Sequence, residues 1–268
     1  MNEPLVSFII PYYNAGATIQ ETIDSIFNQS YSNFDVWLIN DGSTDKLSID
    51  KLKEFEGNDK IHLLHQENAG PSVARNRAIM KSNAEYFIPL DADDVIQKNA
   101  LLDTINEIHG NPEIGAVYGN FLWFGSKAGI KKQYNFQIEK QFLMNQIAVT
   151  ALIRKQMWQE LEGYDANLSK PGLEDWEFWL RAGLSQWKLK HKDLIFFSVR
   201  DNNDSRTYKV ANKNIDDIKK YVYKKHASAL AVVYHTLYYQ KKQLLETPDY
   251  KIGNLFLKPY RFMKSYFS

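Results

Sequence analysis

The chain has 268 residues, a formal net charge of +1 and no cysteine, and 44% of its residues are hydrophobic. This length and composition exclude a disordered protein and allow one large α/β domain with an accessory segment. The absence of cysteine excludes disulfides and thiolate zinc sites, and it is consistent with a cytoplasmic protein. Because no apolar run reaches the roughly 20 residues of a membrane span, we expect no transmembrane helix, and we expect no signal peptide.

The net charge is distributed unevenly along the chain. Residues 209–268 contain 12 Lys and Arg against 4 Asp and Glu, a net charge of +8, whereas residues 1–208 have a net charge of −7. A basic, tyrosine-rich C-terminal part next to an acidic body predicts contact with an anionic partner, such as a membrane surface.

β-branched and aromatic runs alternate with helical periodicity over the first 120 residues. The pattern predicts strands at 5–10, 34–39, 61–65, 86–90 and 115–118, and helices at 18–28, 45–55, 71–81 and 98–109. This βα order predicts one Rossmann-like, mostly parallel sheet flanked by helices. Further along, we expect a returning strand at 150–154, a helix from 174 to about 182, and a helix over 215–245.

A polar loop follows each of the first four predicted strands. The loops are PYYN at 11–14, NDGSTD at 40–45, QENAGPSVARN at 66–76 and DADD at 91–94. Ligands of open parallel sheets bind beyond the carboxyl ends of the strands, and all four loops fall on that edge. The sequence therefore predicts a single functional site there.

The last of these loops brings Asp91, Asp93 and Asp94 together. Carboxylates at this spacing repel one another unless a cation neutralises them, and Mg²⁺ or Mn²⁺ is the kind of ion that such oxygen ligands hold. Alternation along an extended chain puts Asp91 and Asp93 on one side with Ala92 turned away, so these two are the predicted metal ligands. Two alternatives stay open: Asp94 begins the loop into the next helix, or the whole cluster is a solvated acidic loop.

Tyr13 and Asp41 have the chemistry to bind a nucleotide base. An aromatic ring offers a flat surface, and a carboxylate accepts a hydrogen bond from an N–H group such as that of uracil. The alternatives are that Tyr13 is a packed loop aromatic and that Asp41 only makes a turn. Asp45 is predicted to cap the following helix.

The five segments VSFIIPYYN, VWLINDGSTD, NAGPSVARNRAI, YFIPLDADD and GLEDWEFWLR, in this order, resemble the family 2 glycosyltransferases with a GT-A fold. The resemblance covers about residues 5 to 205. It implies a metal-dependent, inverting transfer of a sugar from a nucleotide donor, with UDP as the expected nucleotide, to an acceptor hydroxyl. The processive synthases of this superfamily carry a QxxRW motif that is absent from this sequence, so transfer of one or a few sugars is expected.

The resemblance also implies the roles of individual residues. Asp175 corresponds to the catalytic base, Glu174 to its acidic partner, and Asp93 to the residue that coordinates the cation, while Asp91 contacts ribose or sugar. The residues implied in nucleotide-sugar binding are Pro11, Tyr13, Asn14, Asp41, Arg75, Asp91, Ala92 and Asp93. For Arg77 we expect a solvated or salt-bridged side chain instead.

Glu174 and Asp175 open the predicted helix at 174–182. The positive end of the helix dipole lowers the pKa of a carboxylate, so we expect Asp175 to stay ionised and ready to accept a proton. The alternative is that both residues merely cap the helix. Trp179 is predicted to lie in the core and Glu177 to be solvated.

Acceptor specificity is expected in the aromatic segment 121–146 and its flank, where Tyr118, Asn120 and Trp123 are candidates to line a pocket. The segment at 199–207 is the position at which relatives contact the diphosphate, and the match there is loose. Its candidate residues are Arg200, Ser205 and Arg206.

Two domains are predicted. Residues 1–207 form the GT-A domain, with a nucleotide-sugar half at 1–119 and an acceptor and base half at 120–207, and residues 208–268 form a basic, aromatic helical extension. The extension is expected to hold the protein on the cytoplasmic face of an anionic membrane. In the alternative, it packs on the body or on a second subunit as a homodimer. No recognition motif for nucleic acid accompanies the charge, so nucleic acid is not an expected partner.

The acceptor is expected to be a glycan, a lipid-linked sugar or a protein, in cell-surface polysaccharide or glycoconjugate biosynthesis. Two other function classes remain. One is a degenerate relative that binds a nucleotide sugar without transferring it. The other is a nucleotidyltransferase, which requires a glycine-rich basic loop after the first strand, and PYYNAGAT at 11–18 is not such a loop.

Overall fold

The computed structural model describes residues 3–201 and 212–247. The strands in these ranges are β1 Val6–Tyr12, β2 Phe34–Asp41, β3 Ile61–Gln66, β4 Tyr86–Pro89, β5 Val95–Ile96, β6 Ile114–Gly125, β7 Gly129–Lys131, β8 Leu152–Arg154 and β9 Lys188–Asp201. The α-helices are α1 Ile19–Phe27, α2 Lys46–Lys53, α3 Pro71–Lys81, α4 Ala100–His109, α5 Ile138–Leu143, α6 Lys155–Glu160, α7 Glu174–Leu184, α8 Ile215–Lys225 and α9 Ala227–Glu246.

The strands form one sheet in the order β3-β2-β1-β4-β8-β6-β9-β5, and β7 pairs with β6. Strands β1 to β4 are mutually parallel where they pair, and β6 is parallel to β9. Strand β8 is antiparallel to both of its neighbours, and β5 is antiparallel to β9. The predicted α/β fold with a mostly parallel sheet and flanking helices is confirmed.

The central strands are buried on both faces because helices cover the sheet on either side. In β1, Phe8 and Ile10 pack into one hydrophobic core, whereas Ile9 between them packs into the other. The first core lies against α1 and α4, and the second lies against α3, α6 and α7. This two-sided burial explains why β1 is mostly apolar and does not alternate with polar residues, with the buried Ser7 as its one small polar side chain before Tyr12.

The predicted elements of the first 110 residues match the structure to within two residues at each end, and α3 matches at both ends. Because β1 to β4 run in one direction, the four polar loops lie at a common edge, as the sequence predicts. Beyond residue 110 the differences are larger. Strand β6 continues to Gly125, and β9, a strand of 14 residues, was not among the predicted elements.

The chain divides into two compact units, Met1–Val222 and Tyr223–Ser268. The single helix predicted at 215–245 is two helices, α8 and α9, which are separated at His226. The predicted domain boundary after residue 207 and the aromatic, basic segment 248–268 lie outside the described residues. Within the described ranges, no helix combines the length and the hydropathy needed to cross a bilayer.

Candidate active site

Asn14 ties the loop after β1 to the loop after β2. Its side-chain oxygen accepts a hydrogen bond from the backbone N–H of Thr44 at 2.8 Å, and the backbone N–H of Asn14 donates to Ser43 Oγ at 3.1 Å. Asn14 has a φ of 50°, a conformation that asparagine tolerates better than most residues. The neighbouring Tyr13 is 49% exposed, so its ring is available to a ligand, and Pro11 lies within β1.

Asp41 is buried at the carboxyl end of β2 and organises the loop that precedes α3. Its carboxylate accepts hydrogen bonds at 2.8 Å from the side chain of Gln66 and from the backbone N–H groups of Ala69 and Gly70. These three bonds fix the start of α3. Asp41 therefore holds the loop before α3, a role different from the simple turn that was the alternative, and its contact with a nucleotide base stays a prediction.

The prediction that Asp45 caps a helix is confirmed. Asp45 is the N-cap of α2, and its carboxylate accepts a hydrogen bond from the N–H of Ser48 at 2.8 Å. Ser48 also receives a hydrogen bond from the Tyr12 hydroxyl on its carbonyl oxygen and one from the N–H of Gly16 on its Oγ, each at 2.8 Å. The loops after β1 and β2 are thus held against the first turn of α2.

The acidic loop after β4 is a turn, closed by a hydrogen bond from the N–H of Asp94 to the carbonyl of Asp91 at 3.1 Å, so the extended conformation predicted for it is wrong. The side chain of Asp91 is 46% exposed, whereas Ala92 is buried and its carbonyl accepts a hydrogen bond from Thr18 Oγ1 at 2.9 Å. Asp93 is half-buried, and within the described residues no side chain donates a hydrogen bond to its carboxylate. Burial and the nearby charge of Asp91 raise the pKa of Asp93 to about 6.

Asp94 is buried just before β5, and its carboxylate accepts the N–H of Arg200 at 3.1 Å. Burial, followed by the charges of Asp91 and Asp93, raises its pKa well above the ordinary value. Burial and mutual repulsion therefore disfavour the ionised forms of Asp93 and Asp94.

Arg200, a candidate for diphosphate contact, anchors the acidic loop to the end of β9. Its Nε donates to the carbonyl of Asp93 at 3.2 Å, its guanidinium pairs with Glu21, and it lies 4.5 Å from the ring centre of Phe124. The other two candidates, Ser205 and Arg206, lie outside the described residues.

Arg77 lies on α3 near the end of β3. Its guanidinium donates a hydrogen bond to the carbonyl of His65 at 2.6 Å.

Arg75 joins the acidic loop to the start of α7. Its guanidinium is 2% exposed, and it donates to Asp91 Oδ1 at 2.6 Å and to Glu174 Oε1 at 2.7 Å. The Tyr164 ring lies 5.8 Å from the guanidinium carbon. The residue predicted to bind the donor is thus a buried bridge between the predicted metal ligand and the predicted base segment.

Asp175 lies on the first turn of α7, two residues after Leu173, which adopts a left-handed conformation with a φ of 59°. Its Oδ1 accepts the N–H of Trp176 at 2.8 Å, and its Oδ2 accepts the side-chain amide of Asn145 at 2.7 Å. The expectation of a lowered pKa is wrong. Burial and the adjacent charge of Glu174 outweigh the favourable hydrogen bond and raise the pKa of Asp175 to about 7.

The inner face of α7 is buried. Trp179 lies in the core, as predicted, and Trp176 is also buried. Glu177, which was expected to be solvated, is fully buried and forms an ion pair with Arg181 at 2.8 Å. The expectation is wrong because Arg181, one helical turn later, supplies the counter-charge that makes burial of a carboxylate tolerable.

Two of the three candidates for the acceptor pocket have structural roles. Tyr118 is buried and its hydroxyl donates to the Tyr134 carbonyl at 2.6 Å. Asn120 is buried, donates to Asp193 at 2.8 Å and accepts the N–H of Gln133 at 2.8 Å. These bonds hold the segment after β7 against β6. Trp123 is partly exposed at the far end of β6.

Asn145 and Gln141 are site residues that the sequence did not indicate. Asn145 donates to Asp175, and Gln141, which is buried on α5, donates to the Trp176 carbonyl at 3.0 Å and to Asn145 Oδ1 at 3.1 Å. They lie in a segment without clear periodicity. The polar residues at 141, 145 and 146, among apolar ones, are the only sequence signal that points to them.

A metal ion at this site would need ligands from the substrate or from water in addition to the carboxylates of the acidic loop. Among the described residues, no group of three or more His, Asp or Glu side chains is arranged to hold an ion. Mg²⁺ is commonly bound by one or two carboxylates, with substrate phosphates and water completing the shell. Asp91 and Asp93 fit that donor set, since both supply hard oxygen ligands, and one oxygen of Asp91 is also held by Arg75 at 2.6 Å.

Known proteins resemble this chain in sequence and in fold. The sequence profile described as glycosyl transferase family 2 matches residues 7–165. An uncharacterized glycosyltransferase of Methanocaldococcus jannaschii is 26% identical over 78% of this chain and 76% of its own length. The poly-beta-1,6-N-acetyl-D-glucosamine synthase of Staphylococcus epidermidis is 35% identical over 43% of this chain and 28% of its own length.

Among solved structures, Staphylococcus aureus TarS residues 1–349 in complex with UDP-GlcNAc superimposes with a TM-score of 0.65 at 18% identity. The match covers 76% of this chain and 61% of the TarS chain, so this chain spans less than two thirds of that protein. At this identity the likeness shows the fold alone. The fold is that of the GT-A glycosyltransferases, as the sequence motifs imply.

Proposed function

The chain belongs to glycosyl transferase family 2, and from that premise we propose a metal-dependent, inverting transfer of a sugar from a UDP-linked donor to an acceptor hydroxyl. Glycosyltransferase activity follows from the family. The nucleotide, the cation and the stereochemistry are the parts that we propose.

The observation that carries the proposal is the bridge made by Arg75. This one buried guanidinium binds Asp91 at 2.6 Å and Glu174 at 2.7 Å, which sets the acidic loop and the base segment beside each other. Inverting transfer needs this juxtaposition, because the base and the leaving group lie on opposite sides of the anomeric carbon.

We assign Asp93 and Asp91 to the cation and Tyr13 to the nucleotide base. A cation held by Asp91 and Asp93, Mg²⁺ or Mn²⁺, would supply Lewis-acid chemistry toward the negative charge of a departing diphosphate. The half-buried carboxylate of Asp93 and the exposed one of Asp91 are accessible to it. The exposed ring of Tyr13 offers a flat stacking surface at the neighbouring loop.

Asp175 accepts the proton of the acceptor hydroxyl as the hydroxyl oxygen attacks the anomeric carbon. The bond from that carbon to the diphosphate oxygen breaks, and its electron pair leaves with the diphosphate. The amide of Asn145 and the N–H of Trp176 hold the carboxylate in place. A base with a pKa of about 7 is well matched to a proton transfer near neutral pH.

The test is a panel of nucleotide sugars incubated with Mg²⁺, with Mn²⁺ and with EDTA, with release of the nucleoside diphosphate as readout. Turnover of UDP-linked donors that requires the cation supports the proposal. Equal turnover in EDTA contradicts the proposed metal requirement. Turnover only of donors linked to another nucleotide contradicts the assignment of UDP. Binding of UDP without hydrolysis or transfer under any condition favours a degenerate relative.

We also propose a location at the cytoplasmic face of a membrane. The net charge of +8 over residues 209–268 supports it, as do the exposed side chains of Tyr234, Tyr238 and Tyr239 on α9. Sedimentation with vesicles containing phosphatidylserine, compared with neutral vesicles, tests this location. Equal recovery with both kinds of vesicle contradicts it.

A further inference from the structure

A groove outside the donor site lies between the loop that precedes α7 and the beginning of α8. It encloses about 530 Å³, a size typical of small-molecule sites. Leu168 and Pro171 line it from the loop, and Ile218 and Tyr221 line it from the helix. None of these residues takes part in the donor site described above.

The loop side of the groove is held in place on two sides. Asp165 caps the short turn Ala166–Leu168, and its carboxylate accepts a hydrogen bond from the hydroxyl of Tyr221 on α8 at 2.7 Å. On the other side, Ser169 Oγ accepts the N–H of Ser72 in the first turn of α3 at 3.1 Å. The groove is therefore a formed feature of the fold, and its two walls are joined directly.

The lining has the chemistry of a site for a neutral sugar. The partly exposed Pro171 and Tyr221 form an apolar and aromatic floor over the buried Leu168 and Ile218. The amides of Asn167 and Asn214 lie among the polar lining groups, and that of Asn167 also donates to the Tyr221 hydroxyl at 3.1 Å. Apolar C–H faces of a pyranose ring pack on such a floor while its hydroxyl groups bind amides and hydroxyls. The two charged lining residues, Lys170 and Asp217, have opposite signs, so the groove has no net charge with which to select an anion.

The groove also lies close to the proposed base. Pro171 in its wall is four residues before Asp175, and a chain of that length spans at most about 14 Å. The loop between them leads directly into α7. A ligand in the groove is therefore within a few sugar units of the hydroxyl that Asp175 deprotonates.

We infer that this groove binds an internal sugar of a neutral oligosaccharide acceptor whose terminal hydroxyl reaches Asp175. The inference rests on the proposed function and deepens it, because it selects a neutral glycan of several units over a protein, a monosaccharide or an anionic polymer. The occupant would contact Tyr221 and Pro171.

The test uses two tryptophan variants one residue apart on α8. Asp217 lines the groove and Asp216 does not, and both are exposed on the first turn of the helix. Asp217→Trp fills the groove, whereas Asp216→Trp adds the same ring beside it. The full-length wild type and both variants are applied to an array of immobilised neutral and anionic oligosaccharides of one to six units, with UDP and Mn²⁺ present. Calorimetric titration with UDP reports separately on the donor site.

We expect the wild type and Asp216→Trp to be retained on neutral oligosaccharides of three or more units, with at least a tenfold loss of retention for Asp217→Trp. Equal retention of both variants, retention on anionic glycans alone, or no retention of a wild type that binds UDP overturns the inference. A wild type that binds no UDP contradicts the proposed function instead, so the two failures are distinguishable.

Discussion

Arg75 donates a hydrogen bond to Glu174 across 2.7 Å although the two residues are 99 positions apart in the chain. The same guanidinium holds Asp91 at 2.6 Å. A single side chain of α3 therefore sets the position of the acidic loop relative to the start of α7.

Replacing Arg75 is expected to destabilise the protein strongly. Arg75→Met removes the guanidinium that pairs with the buried carboxylate of Glu174. Removing one partner of a buried ion pair lowers the free energy of unfolding by about 3 to 5 kcal/mol. Urea denaturation measures this loss. Arg77→Met on the same helix is the matched control, since its exposed guanidinium contacts a backbone carbonyl and its loss should cost less than about 1 kcal/mol. Similar stabilities for the two variants would show that the bridge contributes little.

Asp175→Asn is expected to abolish transfer while UDP binding in the presence of Mn²⁺ is retained. An amide cannot accept the acceptor proton, but it can keep a hydrogen bond with the N–H of Trp176. Initial rates of transfer and calorimetric titration with UDP measure the two effects. Transfer at the wild-type rate would remove Asp175 from the role of base.

The same variant should be more stable than the wild type at high pH. The pKa of Asp175 in the folded protein is about 7, above its ordinary value of 3.8, so ionisation destabilises the fold progressively as pH rises from about 4 to 7. Above pH 7 the full cost is present, and asparagine avoids it. We expect a melting temperature a few degrees higher at pH 8 and nearly unchanged at pH 4. A lower melting temperature at pH 8 contradicts the raised pKa.

The rate of transfer should rise with pH and level off near neutrality. Because Asp175 acts as a base with a pKa of about 7, kcat/KM is expected to increase about tenfold per pH unit below that value. Asn145→Ala removes a hydrogen bond that favours the ionised carboxylate, so its profile should move to higher pH. Met144→Ala, at an exposed neighbouring residue, should leave the profile unchanged. A wild-type profile that is flat from pH 5 to 8 would refute this assignment.

Asp41→Asn separates two roles of Asp41. The carboxylate accepts the N–H groups of Ala69 and Gly70 on different oxygens, and an asparagine can accept only one of them. The unpaired donor is expected to lower the free energy of unfolding by about 2 kcal/mol and to weaken UDP binding as well. Asp45→Asn is the control, because asparagine caps a helix about as well as aspartate. Weaker UDP binding at unchanged stability would indicate that Asp41 contacts the base alone.

The first 110 residues were predictable because each strand and helix there has a local signal. The run at β1 is apolar and β-branched, and Pro71 marks the first residue of α3. The loops at the carboxyl ends of parallel strands meet by topology, so the acidic loop and the loop of Asp41 were placed together correctly. The order of strands beyond β4 depends on long-range pairing, and no local pattern indicates that β8 enters between β4 and β6.

Electrostatic properties were harder to predict than positions. The sequence places Asp175 at a helix start, which suggests a lowered pKa, but it does not reveal the burial and the proximity of Glu174 that raise it. The burial of Glu177 depends likewise on Arg181 being oriented toward it. The long strand β9 was missed because Lys188, Lys190 and Lys192 give its first half the composition of a solvated segment.

The central claim is that a single base, Asp175, directs an inverting displacement. Proton NMR of the newly formed linkage, recorded during transfer from an α-linked UDP sugar, tests this claim most directly. The account predicts that the first product signal is the β anomer. An α-linked product from the same donor would contradict it.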